Sequence, residues 1–117
     1  MTVNYHQRQF RGRTNVTHGE VSAATCFSYY QAGDRLWGEY AGGDVRAGQL
    51  LGKVNPDGSL EFLYQHQNSA GELMAGHCRS TPTIEPDGRL VLHERWQWLT
   101  GDRSAGESVV EEILKGK

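Results

Sequence analysis

The residue with the greatest chemical potential in this chain is Glu94, set in the run Arg89 to Leu99, R-L-V-L-H-E-R-W-Q-W-L. Leu90, Leu92, Glu94, Trp96 and Trp98 share one parity, while Arg89, His93, Arg95 and Gln97 share the other, the period-2 signature of a half-buried strand. A carboxylate on the apolar face has to be paired, neutralised or used. Among Leu and Trp its pKa should rise, so that it could donate as well as accept a hydrogen bond, or act as a general acid or base near neutrality.

Cross-strand registers bring Trp37, Glu39, Arg46, Tyr64, His66, Ser80, Trp96 and Trp98 onto the same inner face as Glu94. As a binding site, this set offers Trp walls, with Arg46 and His66 to hold a ligand carboxylate and Glu94 to orient it. The same residues also admit a structural reading. Glu39 and Arg46 would then be a cross-strand ion pair, Tyr64 and His66 satisfied core residues, and Glu94 an acceptor for Ser80 and a Trp N–H. Both readings stay open, and no residue is assigned as catalytic.

The elements that must position these groups are marked by turns. Fifteen of the 117 residues are glycine, well above the usual ~7%. Turn signals recur at Ala32-Gly33-Asp34, Gly42-Gly43, Asn55-Pro56-Asp57-Gly58, Asn68-Ser69-Ala70-Gly71, Glu85-Pro86-Asp87-Gly88 and Gly101 to Gly106. The segments between them read as strands near Gln7 to Arg13, Ala24 to Gln31, Arg35 to Ala41, Asp44 to Asn55, Ser59 to Asn68, Glu72 to Ile84 and Arg89 to Leu99. Glu107 to Leu114 reads either as an eighth strand or as a helix, since Ser104 and Glu107 have capping-box spacing. The strand is favoured because an eighth can pair with the first and leave no edge. The fold expected is all-β, a single eight-stranded antiparallel up-and-down barrel over residues 1–117.

Loop length sets the registers. Each Pro-Asp-Gly loop implies a type I turn followed by a left-handed glycine, which pairs Asn55 with Ser59 and Glu85 with Arg89. Ser80 then faces Glu94, Cys78 faces Trp96, Gly76 faces Trp98, Gly52 faces Phe62 and Gly48 faces His66, while a three-residue loop at Ser69-Ala70-Gly71 keeps the parity and places Tyr64 against Gly76 and His66 against Met74. A Gly42-Gly43 turn puts Trp37 opposite Gly48 and Glu39 opposite Arg46. The inner face also takes Leu50, Val54, Leu60, Phe62, Met74, Cys78, Ile84, Leu90 and Leu92. Gly48, Gly52 and Gly76 each sit across from a ring, which marks them as bending points of a coiled sheet.

Several function classes lose support. A formal charge of -2 gives no footprint for nucleic acid or an anionic membrane. The outer stripe of His77, Arg79, Arg89, His93 and Arg95 has no interleaved aromatics and reads as a solubilising face. The histidines at 6, 18, 66, 77 and 93 show no metal-ligand spacing, and neither a phosphate loop nor a G-x-S-x-G elbow occurs. No cofactor and no metal are expected. The segment from Met1 to Phe10 lacks the apolar core of an export signal, so a cytoplasmic protein is expected, with Cys26 and Cys78 as reduced thiols and Asn15-Val16-Thr17 without glycan. The partner expected is a small molecule, with the protein a monomer or homodimer. Gly48-Gln49-Leu50-Leu51-Gly52-Lys53 has the look of an acyl-CoA pyrophosphate loop, but its alternation places it mid-strand rather than at a helix N-terminus.

Tyr40-Ala41-Gly42-Gly43, Gly48-Gln49-Leu50-Leu51-Gly52, Gly71-Glu72-Leu73-Met74, Gly76-His77-Cys78-Arg79-Ser80-Thr81-Pro82, Leu92 to Trp98 and Gly106-Glu107-Ser108 together cover nearly the whole chain. In these motifs the sequence resembles a family of short, uncharacterised bacterial proteins often labelled n-acetylglutamate synthase. The resemblance implies that label as an alternative function and carries over no catalytic residue. The expected barrel is similar in architecture to the calycin group of lipocalin-like and avidin-like ligand binders. The primary expectation is a lumen that binds a small amphipathic or carboxylate-bearing ligand. The alternatives are an enzyme using Glu94 or His66 as general acid or base, and a filled barrel acting through its surface.

Overall fold

A computed structural model describes residues 3–14 and 20–114. Among these residues, eight strands close an antiparallel barrel in chain order. They are β1 (Arg8–Thr14), β2 (Cys26–Ala32), β3 (Arg35–Gly42), β4 (Val45–Val54), β5 (Leu60–Asn68), β6 (Leu73–Ile84), β7 (Leu90–Trp98) and β8 (Ala105–Glu112). The segment that could have been a helix is strand β8. It pairs with β7 and β1, so the sheet has no free edge. Arg8 anchors this closure through a two-pronged bond to Glu112, whose Oε1 also accepts the Leu90 N–H. His18 and Asn15-Val16-Thr17 lie outside the described residues. Among the described residues no helix is long and apolar enough to cross a membrane.

The Pro-Asp-Gly hairpins behave as their chemistry demands. Gly58 and Gly88 take φ near +89° and +88°, a region closed to most side chains, and donate to the carbonyls of Asn55 and Glu85. With these turns set, β4 to β7 adopt the expected registers: Gly48↔His66, Gly52↔Phe62, Tyr64↔Gly76, Cys78↔Trp96 and Ser80↔Glu94. Gly48 to Lys53 lies inside β4.

Strand β3 departs from expectation. The hairpin turns at Gly43-Asp44, so that Gly42 pairs with Val45, and β4 then carries an extra residue at Arg46. That bulge shifts the partner of Gly48 to Tyr40 and reverses the parity of β3, because one residue of slip moves every side chain to the other face. Leu36, Gly38 and Tyr40 therefore point inward. Trp37, Glu39 and Arg46, all expected inside, lie on the outer wall. Ile84 keeps the inner parity but is 54% exposed, because it ends β6 beyond the packed core.

One end of the barrel is filled. Tyr5, Phe10, Tyr29, Leu36, Leu60, Leu90, Leu92 and Val110 are buried there, and the Tyr5 hydroxyl donates to the Gly58 carbonyl across the opening. Outside, the basic stripe is interleaved with carboxylates: His77 and Arg79 meet Glu61, Arg89 meets Glu111, and Arg95 meets Glu107. The outer wall also carries a cross-strand run of Tyr30, Trp37, Leu51 and Leu63, with both leucines more than half exposed.

Gly76 is a position where the backbone approaches a ring. A Cβ there would collide with the Tyr64 hydroxyl and come within 2.8 Å of the Gln97 carbonyl. Gly76→Val is expected to destabilise the fold by about 2 kcal/mol or more through overpacking, read as a lower urea midpoint at unchanged slope. A variant as stable as the wild type would remove the argument that the ring needs a bare backbone.

Candidate functional site

Toward the other end, where the segment before β2 approaches the barrel, the interior is not filled. A cavity of about 40 Å³ remains there. Since one water needs on the order of 10–15 Å³ of such space, it has room for roughly three waters. Its walls are mainly rings in mutual contact. Trp96 and Trp98 lie 5.8 Å apart, Tyr64 meets Trp98 at 5.6 Å, His66 meets Trp98 at 5.6 Å, and Tyr40 stacks on Phe27 at 5.1 Å.

Glu94 sits in this wall with only 6% of its surface exposed. Ser80 donates to its Oε2 at 3.1 Å and Ser108 to its Oε1 at 3.3 Å. Burial nevertheless dominates, raising the Glu94 pKa from 4.5 to about 7 against the lowering effect of the two hydroxyls. Burial likewise raises the neighbouring thiol of Cys78 and the phenols of Tyr29, Tyr40 and Tyr64, with Glu94 adding to each shift. Those four groups stay protonated around neutrality. Cys26 and Cys78 are both free thiols.

A second polar group spans the cavity mouth. His66 has a side chain only 1% exposed and is bonded at both ring nitrogens. Nε2 lies 2.7 Å from Glu20 Oε1 and Nδ1 lies 2.8 Å from the Tyr40 hydroxyl. A carboxylate only accepts, so Nε2–H donates to Glu20; in the neutral ring Nδ1 then accepts from Tyr40. Asn68 donates to the other Glu20 oxygen at 3.1 Å. Glu20 is thereby tied over the β5 end of the barrel.

The structure thus brings together Tyr64, His66, Ser80, Glu94, Trp96 and Trp98 from the expected set. It separates the other three. Trp37 stacks on Tyr30 and carries the Arg35 guanidinium 4.9 Å from its ring centre, Glu39 borders an open depression on the outer wall, and Arg46 is exposed on its bulge. The expected Glu39–Arg46 pairing is replaced by Glu39↔Gln49.

Sequence reasoning missed Glu20, Phe27, Tyr40 and Ser108 among the cavity residues. For Tyr40 a signal was present: Arg35 and Glu39 share the parity of Trp37, which marks that set as the wetter face. Ser108 alternates with Gly106, Val110 and Glu112, and falls opposite Glu94 once β8 is taken as a strand. Glu20 stands in a segment without periodicity and carries no signal.

A model of the family described as avidin-like protein matches residues 3–113. No curated protein and no solved structure gives a significant match to the chain.

Proposed function

The chain belongs to the avidin-like family, and on that premise we propose that its lumen binds one small amphipathic ligand, with the rings as walls and the Glu94 and His66 groups fixing orientation. The observation that carries this reading is the uneven filling of the barrel. One end is packed with apolar side chains, whereas the other keeps a ring-lined cavity with polar groups converging on it, the usual form of a small-molecule site. A carboxylate-bearing ligand would have to rely on His66 and the hydroxyls, because Arg46 faces solvent.

The test is a thermal-shift screen of the purified protein against fatty acids, aromatic acids, biotin, glutamate and acetyl-CoA. A ligand at 100 times its Kd adds about 2.7 kcal/mol, which moves the midpoint of a domain this size by several degrees. A shift abolished by Trp98→Ala supports the lumen. A shift with acetyl-CoA alone favours the acetyl-transfer alternative, and no shift across the panel removes the reading.

Two further readings each rest on one observation. The buried Glu94 carboxyl, with its pKa near 7, suits general acid–base work, so hits should be assayed for turnover lost in both Glu94→Gln and His66→Gln. The outer-wall run of half-buried Tyr30 and Trp37 with exposed Leu51 and Leu63 favours action through the surface as a homodimer. Sedimentation of a Leu51→Lys, Leu63→Lys double variant against the wild type decides it.

A further inference from the structure

The groups that face the cavity have an uneven charge character. Among the described residues lining it are two carboxyl groups, Glu20 and Glu94, and no Lys or Arg. Four donors around it are engaged: the Ser80 and Ser108 hydroxyls point at Glu94, the Tyr40 hydroxyl at His66 Nδ1, and His66 Nε2–H at Glu20. The Glu94 oxygens and the Tyr40 oxygen retain lone pairs that can accept from a ligand. Around them Trp96, Trp98, Tyr40, Tyr64, Phe27 and Phe62 present π systems, which attract cations over their faces.

Deepening the lumen reading and resting on it, we propose that the cavity takes a small organic cation, an ammonium or guanidinium head group of roughly four heavy atoms, paired with Glu94 inside the ring of aromatic side chains. A carboxylate in the same place would meet two acidic side chains and no fixed cation. Desolvation makes the pairing selective, because a buried carboxylate without a partner is costly whereas one facing an ammonium is compensated.

Binding should depend on pH through Glu94. The titratable groups facing it are Cys78 on β6, Tyr29 on β2, Tyr40 on β3 and Tyr64 on β5, and all four stay protonated around neutrality. Glu20 and His66 line the same cavity and are bonded to each other. A cation favours the ionised form of Glu94, so its affinity rises as pH rises through about 7.

The experiment is a titration of isotope-labelled protein with methylammonium, trimethylammonium, methylguanidinium, acetate and acetamide at pH 6 and pH 8, following the indole N–H resonances of Trp96 and Trp98. At least one of the three cations is expected to shift both resonances, about tenfold more tightly at pH 8 than at pH 6, with acetate inert. In Glu94→Gln, whose dispersed spectrum reports an intact fold, the cation affinity should fall at least tenfold and lose its pH dependence. If acetate or acetamide moves the indoles and no cation does, the cation inference falls while lumen binding stands. If no probe moves them, the cation inference also falls, and the wider metabolite screen decides the lumen reading separately.

Discussion

At pH 8 the Glu94→Gln variant is expected to be about 3 kcal/mol more stable than the wild type, and at pH 4 no more stable at all. The side chain is buried in the cavity wall, and burial holds its folded-state pKa near 7 against 4.5 in the unfolded chain. A carboxyl raised by that amount corresponds to about 3 kcal/mol. The sign follows from proton binding. Between pH 4.5 and 7 the folded state holds a proton that the unfolded state has released, so wild-type stability falls as pH rises through that window and then levels off. Glutamine keeps the shape and an acceptor for Ser80 or Ser108 without ever charging, so it should remove the slope. In thermal unfolding the gap at pH 8 should be on the order of 10 °C. Equal midpoints at pH 8 would mean that a partner already balances Glu94, and the account of it as an uncompensated buried carboxyl would be lost. The stability forgone at neutral pH is what a site for a charged ligand is expected to cost.

His66→Ala is the second large effect, a loss of about 3–4 kcal/mol. It strips the buried Tyr40 hydroxyl of its acceptor and Glu20 Oε1 of its donor, each costing roughly 1–3 kcal/mol, and leaves a void beside Trp98. Tyr40→Phe, which removes only the donor to Nδ1, should cost about 1 kcal/mol. Glu20→Gln, which keeps an oxygen facing Nε2–H, should cost less than His66→Ala. Urea unfolding of the three variants checks the order. If His66→Ala were no worse than Tyr40→Phe, the Glu20–His66–Tyr40 chain would not be what ties Glu20 over the mouth.

Much of this protein was legible in its sequence. Two Pro-Asp-Gly loops admit essentially one hairpin geometry, and a strand alternates faces with a period of two, so the registers of β4 to β7 followed from loop length alone. That placed Tyr64, His66, Ser80, Glu94, Trp96 and Trp98 on one inner wall. Closure followed from the eighth strand, because a sheet with seven strands keeps two edges to protect. What only the tertiary structure decided begins with one residue. The bulge at Arg46 carries no distinctive residue type, yet it turns Trp37 and Glu39 outward and brings Tyr40 in. The position of Glu20 depends on contacts 46 and 48 residues away, to His66 and Asn68, which no local pattern encodes. Whether the lumen is filled depends on how side chains from all eight strands share one volume. Packing closed one end with Tyr5, Phe10 and Tyr29 and left a cavity of about 40 Å³ beside Glu94.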